Sequence, residues 1–111
     1  MEFPEYYKIV KVVENKQKEN KQRLSFYNIQ KYVKLLKIAY NNDNFIYIPE
    51  EQCYQCTLKV KEFSELLDIK NPTATSKFLQ TLENNGLVTR LPGVKVSAPY
   101  VTKIDISYYL K

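Results

Sequence analysis

A helix with both of its ends written into the sequence limits this chain more than anything else in it: residues 71–86 read NPTATSKFLQTLENNG. Asn71 can cap a helix by accepting from the backbone one turn on, and Pro72 suits the first helical position, where its missing N–H costs nothing. Gly86 can take the left-handed conformation after the last turn, with Leu87 placed to touch Leu82. At about 100° per residue, Ala74, Thr75, Phe78, Leu79 and Leu82 share one side, while Thr73, Ser76, Lys77, Gln80 and Asn84 share the other. That second side carries one cation and no acid before Glu83 at its far edge. One face packs; the other offers hydrogen bonds to a negatively charged groove.

The core that holds such a helix must come from 111 residues, 44% of them apolar, which is one domain by size. Seventeen Lys and Arg against twelve Asp and Glu leave a net charge of +5, which favours a polyanionic partner. The cations are grouped. Residues 24–40 hold Lys31, Lys34 and Lys37, residues 86–104 hold Arg90, Lys95 and Lys103, and neither stretch contains an acid. There is no 18-residue apolar run and no signal-peptide pattern, so the expectation is a cytoplasmic, nucleoid-associated protein without a membrane partner. Histidine is absent, two glycines cannot make a phosphate-binding loop, and no nucleophile has a recognisable base. The expected class is therefore a binding protein, not an enzyme, with no cofactor.

Residues 1–23 divide into an apolar piece, FPEYYKIVKVV, and a polar one, ENKQKENKQR. Phe3, Tyr6, Val10 and Val13 fit a helical stripe, but Tyr7, Ile9, Lys11 and Val13 alternate as a strand would, and Pro4 tips the balance towards helix. The polar run either continues that helix or forms a connector. Leu24 to Tyr40 is a second helix, capped by Ser25, with Leu24 and Ile29 as a hydrophobic staple. Its apolar residues cover about 200° of the wheel, wider than the ~100° one core requires. Residues 1–23 are accordingly expected to be a dimerisation element preceding a 24–111 domain. Tyr6, Val10, Val13, Tyr32 and Leu36 would line a homodimer interface. The alternative is that the N-terminal segment folds back over the second helix within one chain.

Asn41 to Asp43 break the helix, and Phe45 to Ile48 before Pro49 could be a short edge strand. Cys53-Tyr-Gln-Cys56 is half of a zinc site, but with no His and no third Cys the chain cannot complete four ligands by itself. No metal is expected, and the two sulfurs read as packing residues or a local disulfide. A very short strand is expected at Thr57–Lys59 and a helix at about 60–68 with Phe63, Leu66 and Leu67 inward. After Gly86, residues 87–91 are strand-like, Pro92-Gly93 is a turn signal, and residues 100–106 alternate as a returning strand.

This order of elements, together with Glu62-Phe63-Ser64, Leu82-Glu83, Gly86-Leu87-Val88 and Arg90, resembles the winged helix-turn-helix core of the MarR and PadR-like transcription regulators. The resemblance covers roughly residues 57–106. It implies a mainly α, α+β fold with a small β-hairpin, a recognition helix at about 72–85 and a wing at about 92–99. The chain departs from that pattern in having no helix after the wing, which implies a dimer built from the N-terminal helices. The layout is also similar to small winged-helix proteins of crenarchaeal plasmids and viruses, among them proteins that bind partition sites and recruit a further protein partner.

The resemblance assigns contact with double-stranded DNA to Thr73, Thr75, Ser76, Lys77, Gln80 and Thr81 on the helix, and to Arg90, Lys95 and Ser97 at the hairpin. The chemistry is consistent with this. Gln80 can pair two ways with adenine, Lys77 can reach guanine or phosphate, and hydroxyls can bond either bases or phosphate oxygens. Arg90 and Lys95 suit the backbone or a narrow minor groove. The functional expectation is sequence-specific DNA binding as a homodimer, as a transcription regulator. The rivals are a plasmid partition protein that spreads on DNA, and a winged-helix interaction module that touches no nucleic acid.

Overall fold

The structure, a computed structural model, describes residues 2–95 and 97–110. Among these residues the chain forms four α-helices, α1 (Tyr6–Asn20), α2 (Phe26–Asn41), α3 (Val60–Leu67) and α4 (Pro72–Asn84). Four strands accompany them, β1 (Ile46–Ile48), β2 (Cys53–Cys56), β3 (Val88–Leu91) and β4 (Val101–Asp105), and a 3-10 turn closes the chain at Ser107–Tyr109. The class is α+β, as expected, but the β part is larger than a hairpin. A four-stranded antiparallel sheet runs in the order β1-β2-β4-β3.

The N-terminal ambiguity resolves as helix, and the polar run continues it because its side chains find partners. Lys16 Nζ lies 4.6 Å from the ring centre of Tyr108, and Asn20 Nδ2 donates to the Asn85 carbonyl just past α4 at 3.0 Å. The helix ends at Lys21, whose φ of 51° is left-handed. The buried stripe of α1 is Ile9 and Val13. It shares Val13 with the expected stripe of Phe3, Tyr6, Val10 and Val13 but takes Ile9 in place of Val10.

α1 folds back over α2 within the same chain, the alternative to the dimer element. Val13, Tyr32 and Leu36, three of the five residues expected on a dimer face, are fully buried in the chain's own core. This corrects their assignment. The wide apolar surface of α2 is used on one side by α1 and on another by the C-terminal turn, where the Tyr32 and Tyr109 hydroxyls meet at 2.8 Å in the interior. A buried hydroxyl without a partner is costly, so this pair fixes both rings. Of the remaining two, Val10 is half-buried and Tyr6 is exposed, its hydroxyl accepting from Gln30 Nε2 at 3.0 Å.

The strand expected at Thr57–Lys59 lies instead at Cys53–Cys56, and β1 is the expected edge strand, one residue shorter. β2 pairs with β1 on one side and β4 on the other, Tyr54 standing opposite Tyr47 and Ile104. Residues three apart on a strand face opposite ways. Cys53 and Cys56 are thus free, buried thiols on opposite sides of the sheet, and no disulfide joins them. Burial pushes the Cys56 thiol up to about 11. On β4, Thr102 and Ile104 are buried while Val101, Lys103 and Asp105 are half-covered, the alternation expected of a strand with one face on the core. No helix among the described residues is long and apolar enough to cross a membrane.

Candidate nucleic-acid interface

The position of α4 is over-determined. Its start is capped as the sequence requires, Asn71 Oδ1 accepting from the Ala74 N–H at 2.7 Å, with Pro72 at the first position. Its end is a Schellman turn: the Leu87 N–H reaches the Leu82 carbonyl at 3.0 Å and the Gly86 N–H reaches Glu83 at 2.9 Å, with Gly86 at φ 72°. Phe78, Leu79 and Leu82 are buried and seat the helix on the core.

One polar link ties α4 to α3. Thr75 is fully buried, its Oγ1 2.6 Å from Ser64 Oγ and 3.2 Å from the Asn71 carbonyl. A hydroxyl has one proton. The Thr75 proton goes to Asn71, so Ser64 donates to Thr75. Thr75 thus lies on the packed side, where the helical wheel puts it, and not among the DNA contacts that the winged-helix resemblance implies: its hydroxyl is consumed inside, between the two helices. Ala74, on that same side of the wheel, is instead at the surface.

The turn between the helices carries Asp68 at φ 54°, a left-handed conformation that is unfavourable for a residue with a Cβ. Lys31 of α2 compensates by donating to the carbonyls of Leu67 at 2.6 Å and Asp68 at 3.3 Å. A cation is well placed at the negative end of α3. One member of the basic group in residues 24–40 is thereby committed to holding the turn.

Thr73, Ser76, Lys77, Gln80 and Asn84 stand exposed on the outer face of α4. Gln80 Nε2 donates to Asn84 Oδ1 at 3.0 Å, which steadies its amide plane and leaves the carbonyl oxygen and one N–H for another partner. Thr81 is half-buried and its hydroxyl donates back to the Lys77 carbonyl at 2.9 Å, so it offers only acceptor lone pairs.

Beside this face lies the β3–β4 hairpin. Arg90 is held from several directions: its backbone N–H donates to Glu83 Oε2 at 3.3 Å, its Nε donates to Thr102 Oγ1 at 3.2 Å, and the guanidinium sits 5.0 Å from the ring centre of Tyr100. Burial draws its pKa down while Glu83 and Tyr100 oppose the shift, and a guanidinium keeps its charge under such a perturbation. Glu83, the one acid at the edge of α4, is thus tied to the backbone of the hairpin, close enough for its charge to favour the Arg90 cation. Lys95 and Ser97 are exposed in the loop, whereas Lys103 is engaged at 2.7 Å with Glu51 in the turn between β1 and β2.

The start of α2 joins this surface, a juxtaposition that local sequence signals do not show. Tyr27 and Asn28 come up against α4 and with Ala74, Lys77, Phe78 and Thr81 border a shallow groove of about 190 Å³. Ser25 caps that helix by accepting from the Asn28 N–H at 3.1 Å. The first free N–H groups of α2 therefore open near Lys77, where an anion would be favoured. The cap was legible; its neighbour 49 residues on was not. Among the described residues no group of three His, Cys, Asp or Glu side chains could hold a metal ion. Comparison of the chain with family models, with curated proteins and with solved structures gives no match.

Proposed function

We propose that this chain is a winged helix-turn-helix protein that binds double-stranded DNA in a sequence-specific way, acting as a homodimeric transcription regulator rather than an enzyme. The observation that carries the reading is the outer face of α4: four exposed hydrogen-bonding side chains with one cation, its only acid, Glu83, at the edge and bonded to the hairpin backbone, and a basic loop alongside. Support also comes from the topology, in which α3 and α4 lead into a hairpin whose second strand sits between β2 and β3. In this reading α4 enters the major groove, Gln80 reads a base edge, and Thr73, Ser76 and Lys77 reach bases or phosphates. The start of α2 and Arg90 meet the flanking backbone. The dimer would use the apolar side chains left uncovered at the ends of α1 and α2, Tyr6, Tyr7 and Phe26, in place of the buried residues.

The test is duplex binding over a salt series. A dimer making on the order of 6–10 phosphate contacts loses about 10³-fold or more in affinity between 50 and 200 mM salt. Lys77→Ala weakens binding to every sequence, while Gln80→Ala costs about 1–3 kcal/mol and relaxes one base position. A flat salt response, or both variants binding like the parent, would refute the reading. Sedimentation as a monomer at protein concentrations well above those used for binding would end the dimer part alone.

A further inference from the structure

The most solvent-exposed large apolar side chain among the described residues is Val94, at 103% of its reference area, and it stands at the tip of the loop between β3 and β4. The loop that carries it is pinched. A Cβ placed on Gly93 would lie 2.6 Å from Ala98 Cβ and 2.7 Å from the Pro99 carbonyl oxygen, so the two arms approach as closely as a glycine allows. Beyond that waist the Ala98 N–H closes a turn onto the Lys95 carbonyl at 2.9 Å. Below it, Arg90 is fastened to Thr102 and Tyr100. The result is a pinched, braced loop that presents Val94 to solvent.

What such a loop fits is decided by its surroundings. From Asn84 to Ile104 there is no acid, and Arg90 and Lys95 stand on either side of Val94 in the sequence. A cationic approach with an uncharged, branched point suits a duplex whose backbone it can hold and whose stacked bases it can part. Apolar side chains entering the minor groove do this by sliding between base steps. We propose that Val94 is a wedge that inserts at a base step in the minor groove and bends the DNA, an inference that rests on the DNA-binding reading above. The braces at Gly93 and Arg90 are what let the loop push: a slack loop would fold away instead of separating bases. The step it opens should be a pyrimidine–purine step, since these unstack most readily.

The experiment uses the full chain and the duplex recovered most strongly from a random-sequence pool, about 30 bp long and labelled with an energy-transfer pair at its ends. Binding and end-to-end distance are read together for the parent, Val94→Ser and Val94→Leu. Because Val94 is wholly exposed, all three should melt alike. The parent is expected to bend the duplex by at least about 20°. Val94→Leu should keep the bend, and Val94→Ser should bind about 3- to 10-fold more weakly and leave the duplex nearly straight. Binding by the parent without bending, or Val94→Ser bending as the parent does, overturns the wedge and leaves the DNA-binding reading standing. No binding of any duplex at low salt overturns both.

Discussion

Thr75→Val separates a structural role for this side chain from a contact role. Valine keeps the volume and the branching but removes the hydroxyl, which in the structure receives from Ser64 at 2.6 Å and donates to Asn71 at 3.2 Å in a fully buried position. Two side-chain hydrogen bonds at about 1 kcal/mol each are lost. The Asn71 carbonyl still receives the Thr75 N–H at 3.2 Å, and the Ser64 proton can turn to the carbonyl one helical turn back, which brings the expected cost down to about 1–2 kcal/mol. For a domain of this size that is a fall of roughly 4–8 °C in melting temperature, measured by circular dichroism. Adding Ser64→Ala removes the orphaned hydroxyl, so the double variant should be more stable than the sum of the two single changes by about 1 kcal/mol. Duplex affinity measured well below the melting transition should be unchanged, because the group never reaches the surface. A variant that melts like the parent yet binds DNA at least tenfold more weakly would refute the argument.

Two other outcomes follow from the interior. Cys53 and Cys56 are buried, and burial raises the pKa of both thiols, so neither should react with a thiol-directed disulfide reagent at pH 8 until denaturant is added, when two equivalents should appear. Burial also raises the tyrosines: Tyr40 is pushed up to about 12, and Tyr32 and Tyr109 are raised as well, chiefly by their enclosure. A raised folded-state pKa means that the unfolded chain gives up protons first. Stability is then fully present below about pH 10 and lost as pH climbs through the folded-state values. Thermal melts should be level from pH 7 to 9 and fall above about pH 10, with Tyr32→Phe showing a smaller alkaline fall; a level profile to pH 12 would contradict this.

The parts of the fold that could be read from the sequence are those set by neighbours in the chain. Asn71, Pro72 and Gly86 mark the ends of α4, and Ser25 the start of α2, because a cap acts on N–H groups within one turn. The two arms of the hairpin show as alternation on either side of Pro92-Gly93. What escaped depends on contacts distant in sequence. β2 is a strand because it lies between β1 and β4, and its four residues are too few for periodicity to reveal it. The broad apolar surface of α2 suggested a second chain; α1 and Tyr109 cover much of it instead. Thr75 falls on the packed side of the wheel, but that its hydroxyl meets Ser64 of the preceding helix there is a pairing no local pattern shows. The outer face of α4 was legible, since an amphipathic wheel says which side is left over. The approach of Tyr27 to Lys77 was not.

The fifteen residues of α1 make a rod about 22 Å long. One end bears the uncovered Tyr6 and Tyr7; the other is joined through Asn20 to the carbonyl at the tail of α4. Ile9 and Val13, sunk in the core, hold it between those ends. One rigid helix thus sets the distance between the exposed tyrosines and the tail of α4.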